Sequence, residues 1–257
     1  MKSNAEIIKS AENKIIVVAG GTGNVGSYLV AGLLKNGATV VVPSRSEQKI
    51  NELQDYLLKR FNKSALKNVH TYVGNLSDKN EAADLITKII QNTGDPDGVV
   101  STLGNFVPAP SLLEIGEAEL DKVLRGYLFA HQMVAKTFLP GLRDKAANFV
   151  FINGPLALKP WKGSGAGLVS IATAAQKMLF ESLAQELEDD KVNISEVITY
   201  AFIRNKQTQP GSSLTGEDLG EFVARLASGA MGNIHGRSFQ LRSSEEAKSL
   251  MGADLAS

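Results

Sequence analysis

The chain has no cysteine, which removes disulfides, thiolate nucleophiles and cysteine-ligated zinc. Its three histidines are scattered through 257 residues, so no histidine-rich metal site is expected. No apolar run approaches the roughly 20 residues needed to span a bilayer, and residues 1–13 are polar and charged without an apolar centre. Neither sign of charge is in excess. Lys plus Arg and Asp plus Glu each number 27, a balance that points to no nucleic acid and no membrane as partner. A cytoplasmic protein acting on a small-molecule substrate or ligand is the expectation. There is no internal repeat and no low-complexity linker. With 43% hydrophobic residues the chain can bury one substantial core, and α/β folds of this length are commonly one domain. We read residues 1–257 as a single domain, with 1–13 an N-terminal extension and 243–257 a C-terminal tail.

What is present is organised around one stretch. Residues 14–19 are a short β-branched run, Gly20-Gly21-Thr22-Gly23-Asn24-Val25-Gly26 follows, and residues 27–35 carry helical periodicity. A strand, a glycine-rich turn and a helix in that order read as a phosphate-binding unit. Two templates fit at once: Gly21, Gly23 and Gly26 match the dinucleotide fingerprint, and Gly20, Gly23 and Gly26 match a variant with two residues between glycines. In either, the glycines let the backbone turn sharply and approach a pyrophosphate, whose charge is stabilised by the amides and positive end of the following helix.

The remaining chain alternates strand-like and helix-like segments, which implies parallel strands joined by crossover helices. Strands are expected at 14–19, 39–42, 69–73, 98–102, 147–152, 192–199 and 237–241. Helices are expected at 24–36, 47–61, 78–92, 120–139, 170–187 and 215–226, the fourth stopped by Pro140-Gly141. The fold class is therefore α/β, a doubly wound parallel sheet of the Rossmann type with about seven strands. Its ligands belong at the carboxyl ends of the strands.

These residues resemble the short-chain dehydrogenases/reductases. The resemblance runs through the glycine turn, Asn75-Leu76-Ser77-Asp78, Asp121-Lys122-Val123-Leu124, Leu139-Pro140, Leu183-Ala184-Gln185-Glu186-Leu187 and Phe202-Ile203-Arg204-Asn205. The glycine spacing departs from the family's commonest form, in which Asn24 would be glycine, and is similar to its extended or atypical branches. The resemblance implies that Asn75 and Leu76 flank the adenine, where the family more often has aspartate at the Asn75 position. It also implies that Ser101, Thr102, Leu103 and Gly104 pass close to the nicotinamide ribose, and that the protein forms a homodimer or homotetramer through helices 120–139 and 170–187. Those helices carry Leu128, Phe129, Phe138, Met178, Leu179 and Phe180.

Cofactor choice is written at the end of the second strand. Sites that prefer NAD place an acid there for the ribose 2′-hydroxyl, whereas an arginine accommodates a 2′-phosphate. Here the chain reads Pro43-Ser44-Arg45-Ser46, with no acid before Glu47. A planar guanidinium beside hydroxyls suits a phosphate dianion, so Ser44 and Arg45 point to NADP(H).

The catalytic half of the resemblance fails. Family members use a tyrosine acid, a lysine four residues later, a serine and an asparagine. Alignment puts Tyr127 at the asparagine, Gly154 or Asn153 at the serine, and either Val169 with Thr173 or Gly167 with Ile171 at the tyrosine and lysine. No tyrosine lies between Tyr127 and Tyr200. Valine, glycine and threonine do not transfer protons at neutral pH, so substitute candidates are Tyr127, His131, Asn153 and Tyr200, with Lys159, Trp161 and Lys162 on an overhanging loop. Three functions follow as alternatives: an NADPH oxidoreductase on a small carbonyl, enone or alcohol with non-standard proton transfer; a non-catalytic NADP(H) binder acting as sensor or partner subunit; and a non-redox isomerase or cyclase.

Overall fold

Runs of valine and isoleucine suit strands covered on both faces, and seven strands here form one parallel sheet in the order β3-β2-β1-β4-β5-β6-β9. The computed structural model describes residues 10–76, 78–109, 111–162 and 165–252. The sheet strands are β1 (Ile15–Ala19), β2 (Thr39–Ser44), β3 (Val69–Val73), β4 (Gly98–Ser101), β5 (Asn148–Asn153), β6 (Asn193–Thr199) and β9 (Ser238–Leu241). A separate two-residue hairpin pairs β7 (Ile203–Arg204) with β8 (Gln207–Thr208). The helices are α1 (Asn24–Lys35), α2 (Glu47–Leu58), α3 (Lys79–Thr93), α4 (Glu117–Leu124), α5 (Ala130–Leu142), α6 (Gly167–Glu186), α7 (Gly216–Ala227) and α8 (Ser244–Gly252).

Helix starts follow from local chemistry. Ser46 caps α2 by accepting from the Lys49 amide, Asp78 caps α3 by accepting from Asn80 and Glu81, and Thr215 caps α7 by accepting from Asp218. One apolar cluster gathers Leu29, Leu33, Phe222, Val223 and Phe239 with one face of the sheet, and a second gathers Leu85, Ile89, Phe138, Phe149 and Phe180 with the other. A third, smaller cluster joins Val123, Tyr127, Leu156, Ala166, Leu168, Val169 and Ala172. Among the described residues no helix is long and apolar enough to cross a membrane.

Four local differences separate structure from expectation. The helix expected at 120–139 is α4 and α5 joined by a π turn over Arg125–Phe129, and it runs past Pro140 to Leu142, which is buried in the second cluster. Strand β2 continues to Ser44 because Pro43 and Ser44 pair with Tyr72 and Val73 of β3, beyond the last residue paired with β1. The hairpin β7–β8 turns at Asn205 and Lys206, both at positive φ (51° and 55°). Part of the expected tail is helical: the Ser243 hydroxyl accepts from the Glu246 amide at 3.1 Å, and Ala247 is fully buried. Residues 1–9 of the expected extension, Ser77, and residues 253–257 of the tail lie outside the described residues.

Candidate functional site

Strand order reverses between β1 and β4, because β2 and β3 lie to one side of β1 while β4, β5, β6 and β9 lie to the other. A crevice at the carboxyl ends of these two strands is where doubly wound sheets bind ligands. Both strands leave it by backbone that packs closely. The Thr102 amide donates to the Ala19 carbonyl at 2.9 Å, and Gly20 then turns at φ +89°. A Cβ at Gly20 would lie 2.1 Å from the Thr102 carbonyl oxygen, and one at Gly26 would lie 2.1 Å from the Gly20 carbonyl oxygen. Those two positions therefore require glycine for different reasons, one conformational and steric and the other steric. Of the two glycine templates, Gly20-Gly23-Gly26 contains the left-handed turn; Gly21 instead packs against Val42 and Val30. The turn is closed by the Gly21 amide on Val18 and the Gly23 amide on Gly20. It delivers Asn24, Val25 and Gly26 as the first residues of α1, a helix start with no side-chain cap, and first-turn amides of such a start are suited to an anion.

The end of β2 lies beside this turn. The Thr22 and Ser44 hydroxyls are 3.5 Å apart, and Ser44 Oγ also accepts from the Ser46 amide at 3.3 Å. Arg45 is exposed and, among the described residues, has no ion pair. Asn75 follows β3 with its amide donating to Glu81 at 3.0 Å, and Leu76 is buried in the second cluster, beside Val17, Ala19 and Val41.

Three of the candidate proton donors, His131, Tyr127 and Asn153, are engaged elsewhere. His131 is fully buried on α5; its Nδ1 is 2.7 Å from the Ser101 hydroxyl and its Nε2 is 3.1 Å from the Leu103 carbonyl. A carbonyl only accepts, so Nε2 carries the hydrogen and Nδ1 accepts from Ser101. Burial lowers the imidazole pKa to about 4, opposed by the bond to Leu103, and the ring is neutral at physiological pH. Tyr127 lies on the π turn with its ring against Gly104; burial pushes its phenol up to about 12, against a hydrogen bond from the Asn105 backbone. Asn153 is buried: Nδ2 donates to the Thr173 carbonyl and to Glu196 Oε1, both at 3.0 Å, and Oδ1 accepts from the Gly154 amide. Tyr200 follows β6, half-buried, its amide on Leu241 and its ring 5.7 Å from the Arg242 guanidinium carbon. Lys159, Trp161 and Lys162 are exposed.

The helix that would present the family tyrosine and lysine is α6. Val169 and Thr173 lie on its buried face: Val169 packs in the third cluster with Tyr127 and Leu156, and the Thr173 hydroxyl donates back to the Val169 carbonyl at 2.7 Å. Ile171, in the other register, is exposed. The segment after Gly104 folds onto the start of α6, where the Ala109 amide donates to the Gly165 carbonyl and Leu112 packs on Gly167. Between them is a cavity of about 240 Å³ whose walls include Val107, Ile115, Val123 and Leu168, with Glu114, Glu119 and Lys122 among its lining.

Two contacts at the rim escaped sequence reasoning. The Lys206 amide, at the hairpin tip, donates to Asn24 Oδ1 at 3.1 Å, and Lys206 Nζ reaches Glu52 of α2 at 3.5 Å. The tip holding Asn205 thus rests on the first turn of α1, and Asn24 supplies the tether with a side chain that glycine at this position would lack. No local pattern announces a pairing 182 residues apart in sequence.

A family model described as short chain dehydrogenase matches residues 14–209. The human dehydrogenase/reductase SDR family member 2, mitochondrial, is 23% identical over 186 residues, covering 72% of this chain and 64% of that protein's length. The NADPH-dependent pterin aldehyde reductase of Arabidopsis thaliana is 22% identical over 185 residues, covering 72% of each. Among solved structures, ElxO with NADP bound superposes with a TM-score of 0.77 at 18% identity, covering 91% of this chain and 99% of that one.

Proposed function

Because the chain belongs to the short-chain dehydrogenase family, we propose that it binds NADP(H) in the β1/β4 crevice and acts as an oxidoreductase on a small carbonyl, enone or alcohol with non-standard proton transfer. The observation that carries the cofactor reading is the end of β2, where Ser44 stands 3.5 Å from Thr22 of the glycine turn and is followed by the exposed Arg45, which has no ion pair among the described residues. A guanidinium beside two hydroxyls is suited to a 2′-phosphate, and the carboxylate that would hold a ribose 2′-hydroxyl is missing from this turn. The glycine cradle fits a pyrophosphate for the same steric reason that it excludes a Cβ. The relative from A. thaliana is an NADPH-dependent reductase, and in the ElxO structure NADP is bound.

The bound nicotinamide would supply the hydride. The chain's own part is to orient and to shield: the cavity after Gly104 combines apolar Val107, Ile115 and Leu168 with Glu114, Glu119 and Lys122, which suits a small substrate carrying both apolar and polar groups. Protonation then falls to water or to Tyr200, whose hydroxyl has no hydrogen-bond partner among the described residues. A second reading, binding without turnover, is favoured by the engagement of His131, Tyr127 and Asn153 in structural bonds. We further propose a cytoplasmic homodimer or homotetramer built on α5 and α6. Phe129, at the end of the π turn leading into α5, and Met178 of α6 are exposed at 47% and 58%, while Phe138 and Phe180 are spent in the core.

Calorimetric titration with NADPH and NADH tests the cofactor assignment. NADPH is expected to bind more tightly, and Arg45→Ala to lose on the order of 1–3 kcal/mol for NADPH alone. Equal affinities for the two nucleotides, or an unchanged NADPH affinity in Arg45→Ala, would refute it.

A further inference from the structure

We infer that His131 is a positioning residue for the dinucleotide crevice, acting through the backbone of Leu103 and Thr102 on the Gly20 turn. This rests on the proposed NADP(H) binding at that crevice. The imidazole makes two bonds to one short stretch of chain, accepting from Ser101 Oγ at 2.7 Å and donating from Nε2 to the Leu103 carbonyl at 3.1 Å. Between the two anchored residues stands Thr102. Its amide is held by Ala19 at 2.9 Å, and its carbonyl oxygen lies so close to Gly20 that a Cβ there would come within 2.1 Å of it. The Leu103 side chain bounds the same point, with Cδ2 3.2 Å from that Cβ position. A displacement of Leu103 therefore either presses on the glycine turn or opens a gap beneath it, because packed interiors have little slack to absorb such a shift.

The ring itself is fixed. It has no solvent exposure, and Phe151 of β5 lies 5.8 Å from it, centroid to centroid, at 41°. The π turn immediately before it places Tyr127 against Gly104, so α5 and its lead-in hold the segment after β4 at both of its ends. No bond of His131 points to the crevice, and both its nitrogens are used. It accordingly has no role in proton transfer, and its effect on bound nucleotide is exerted only through the wall it anchors.

The two bonds can be separated by substitution. Glutamine keeps a donor near the Nε2 position and loses the acceptor for Ser101, whereas asparagine places an acceptor near Nδ1 and loses the donor to Leu103. The experiment measures NADPH dissociation constants for wild type, His131→Gln and His131→Asn, with thermal midpoints for each. Leaving the Leu103 carbonyl without its donor should weaken NADPH on the order of tenfold in His131→Asn, while His131→Gln, which keeps that donor, stays close to wild type. A purely structural role predicts instead that affinity follows thermal midpoint whichever bond is lost. Equal affinity in the glutamine and asparagine variants would overturn the inference. Should the asparagine variant not fold, the wild-type imidazole nitrogen-15 spectrum decides: the Nε2–H signal is expected to shift on saturation with NADP+, and an unmoved signal would overturn the inference. Failure of wild type to bind NADPH would instead strike the cofactor reading itself.

Discussion

Acidification should destabilise this protein through His131 specifically. The imidazole pKa falls from an ordinary 6.5 to about 4 on folding because the ring leaves water completely. Between those values the unfolded chain takes up a proton that the folded chain refuses. The stabilising difference is thus complete above pH 6.5 and is lost progressively as pH falls towards 4. At 1.36 kcal/mol per pKa unit the shift corresponds to about 3 kcal/mol, a sizeable share of the 5–15 kcal/mol typical of a folded domain. Urea unfolding at a series of pH values, on wild type and on His131→Gln, isolates the effect, since the carboxylates titrate alike in both and glutamine does not titrate. The wild-type curve should fall more steeply than the variant's by the equivalent of one proton through this interval. Parallel curves would mean that His131 is hydrated or protonated in the folded state, and the assignment of Nδ1 as acceptor would fail with them.

Restoring the family's acid and base by Val169→Tyr with Thr173→Lys is expected to destabilise rather than activate. Val169 packs against Tyr127 and Leu156, so overpacking costs about 1–3 kcal/mol, and position 173 is 4% exposed, leaving the new ammonium without water; a lowered urea midpoint without gained turnover checks this. Gly26→Ala should abolish NADPH binding in calorimetry, because its Cβ would sit 2.1 Å from the Gly20 carbonyl oxygen. Light scattering of Met178→Lys should show a smaller assembly than wild type, since the 58%-exposed methionine lies on the α6 face proposed to meet a second copy; a wild-type monomer at micromolar concentration would remove that proposal.

The sheet was legible because its signals are local. Ile16 to Ala19, Val40 to Val42 and Val99 to Val100 are apolar and buried on both faces, and the turn after Ala19 is written in glycines whose steric need the structure explains. The caps Asp78 and Thr215 were equally readable, and Ser243 with Glu246 three residues on carried a start signal for α8 that lay unread in the tail. The π turn was not legible: Arg125-Gly126-Tyr127 contains no breaker stronger than one glycine. Nor was the hairpin tip, where Lys206 takes a positive φ because its amide is held by Asn24 and its ammonium by Glu52. His131 shows the limit most clearly. A lone histidine on an apolar helix is compatible with a relay or a buried strut, and its role follows only from the carbonyl of Leu103 and hydroxyl of Ser101 brought to it by the fold.

Hydride transfer from saturating NADPH to a panel of ketones, aldehydes and enones, followed by nicotinamide absorbance across pH, tests the central claim most directly. An oxidoreductase site without the family's tyrosine and lysine pair predicts turnover roughly 10²–10⁴-fold below that of an enzyme with a positioned acid, and a rate unaffected by Tyr127→Phe. Fast reduction of a simple ketone, with a pH break that disappears in Tyr127→Phe, would contradict it.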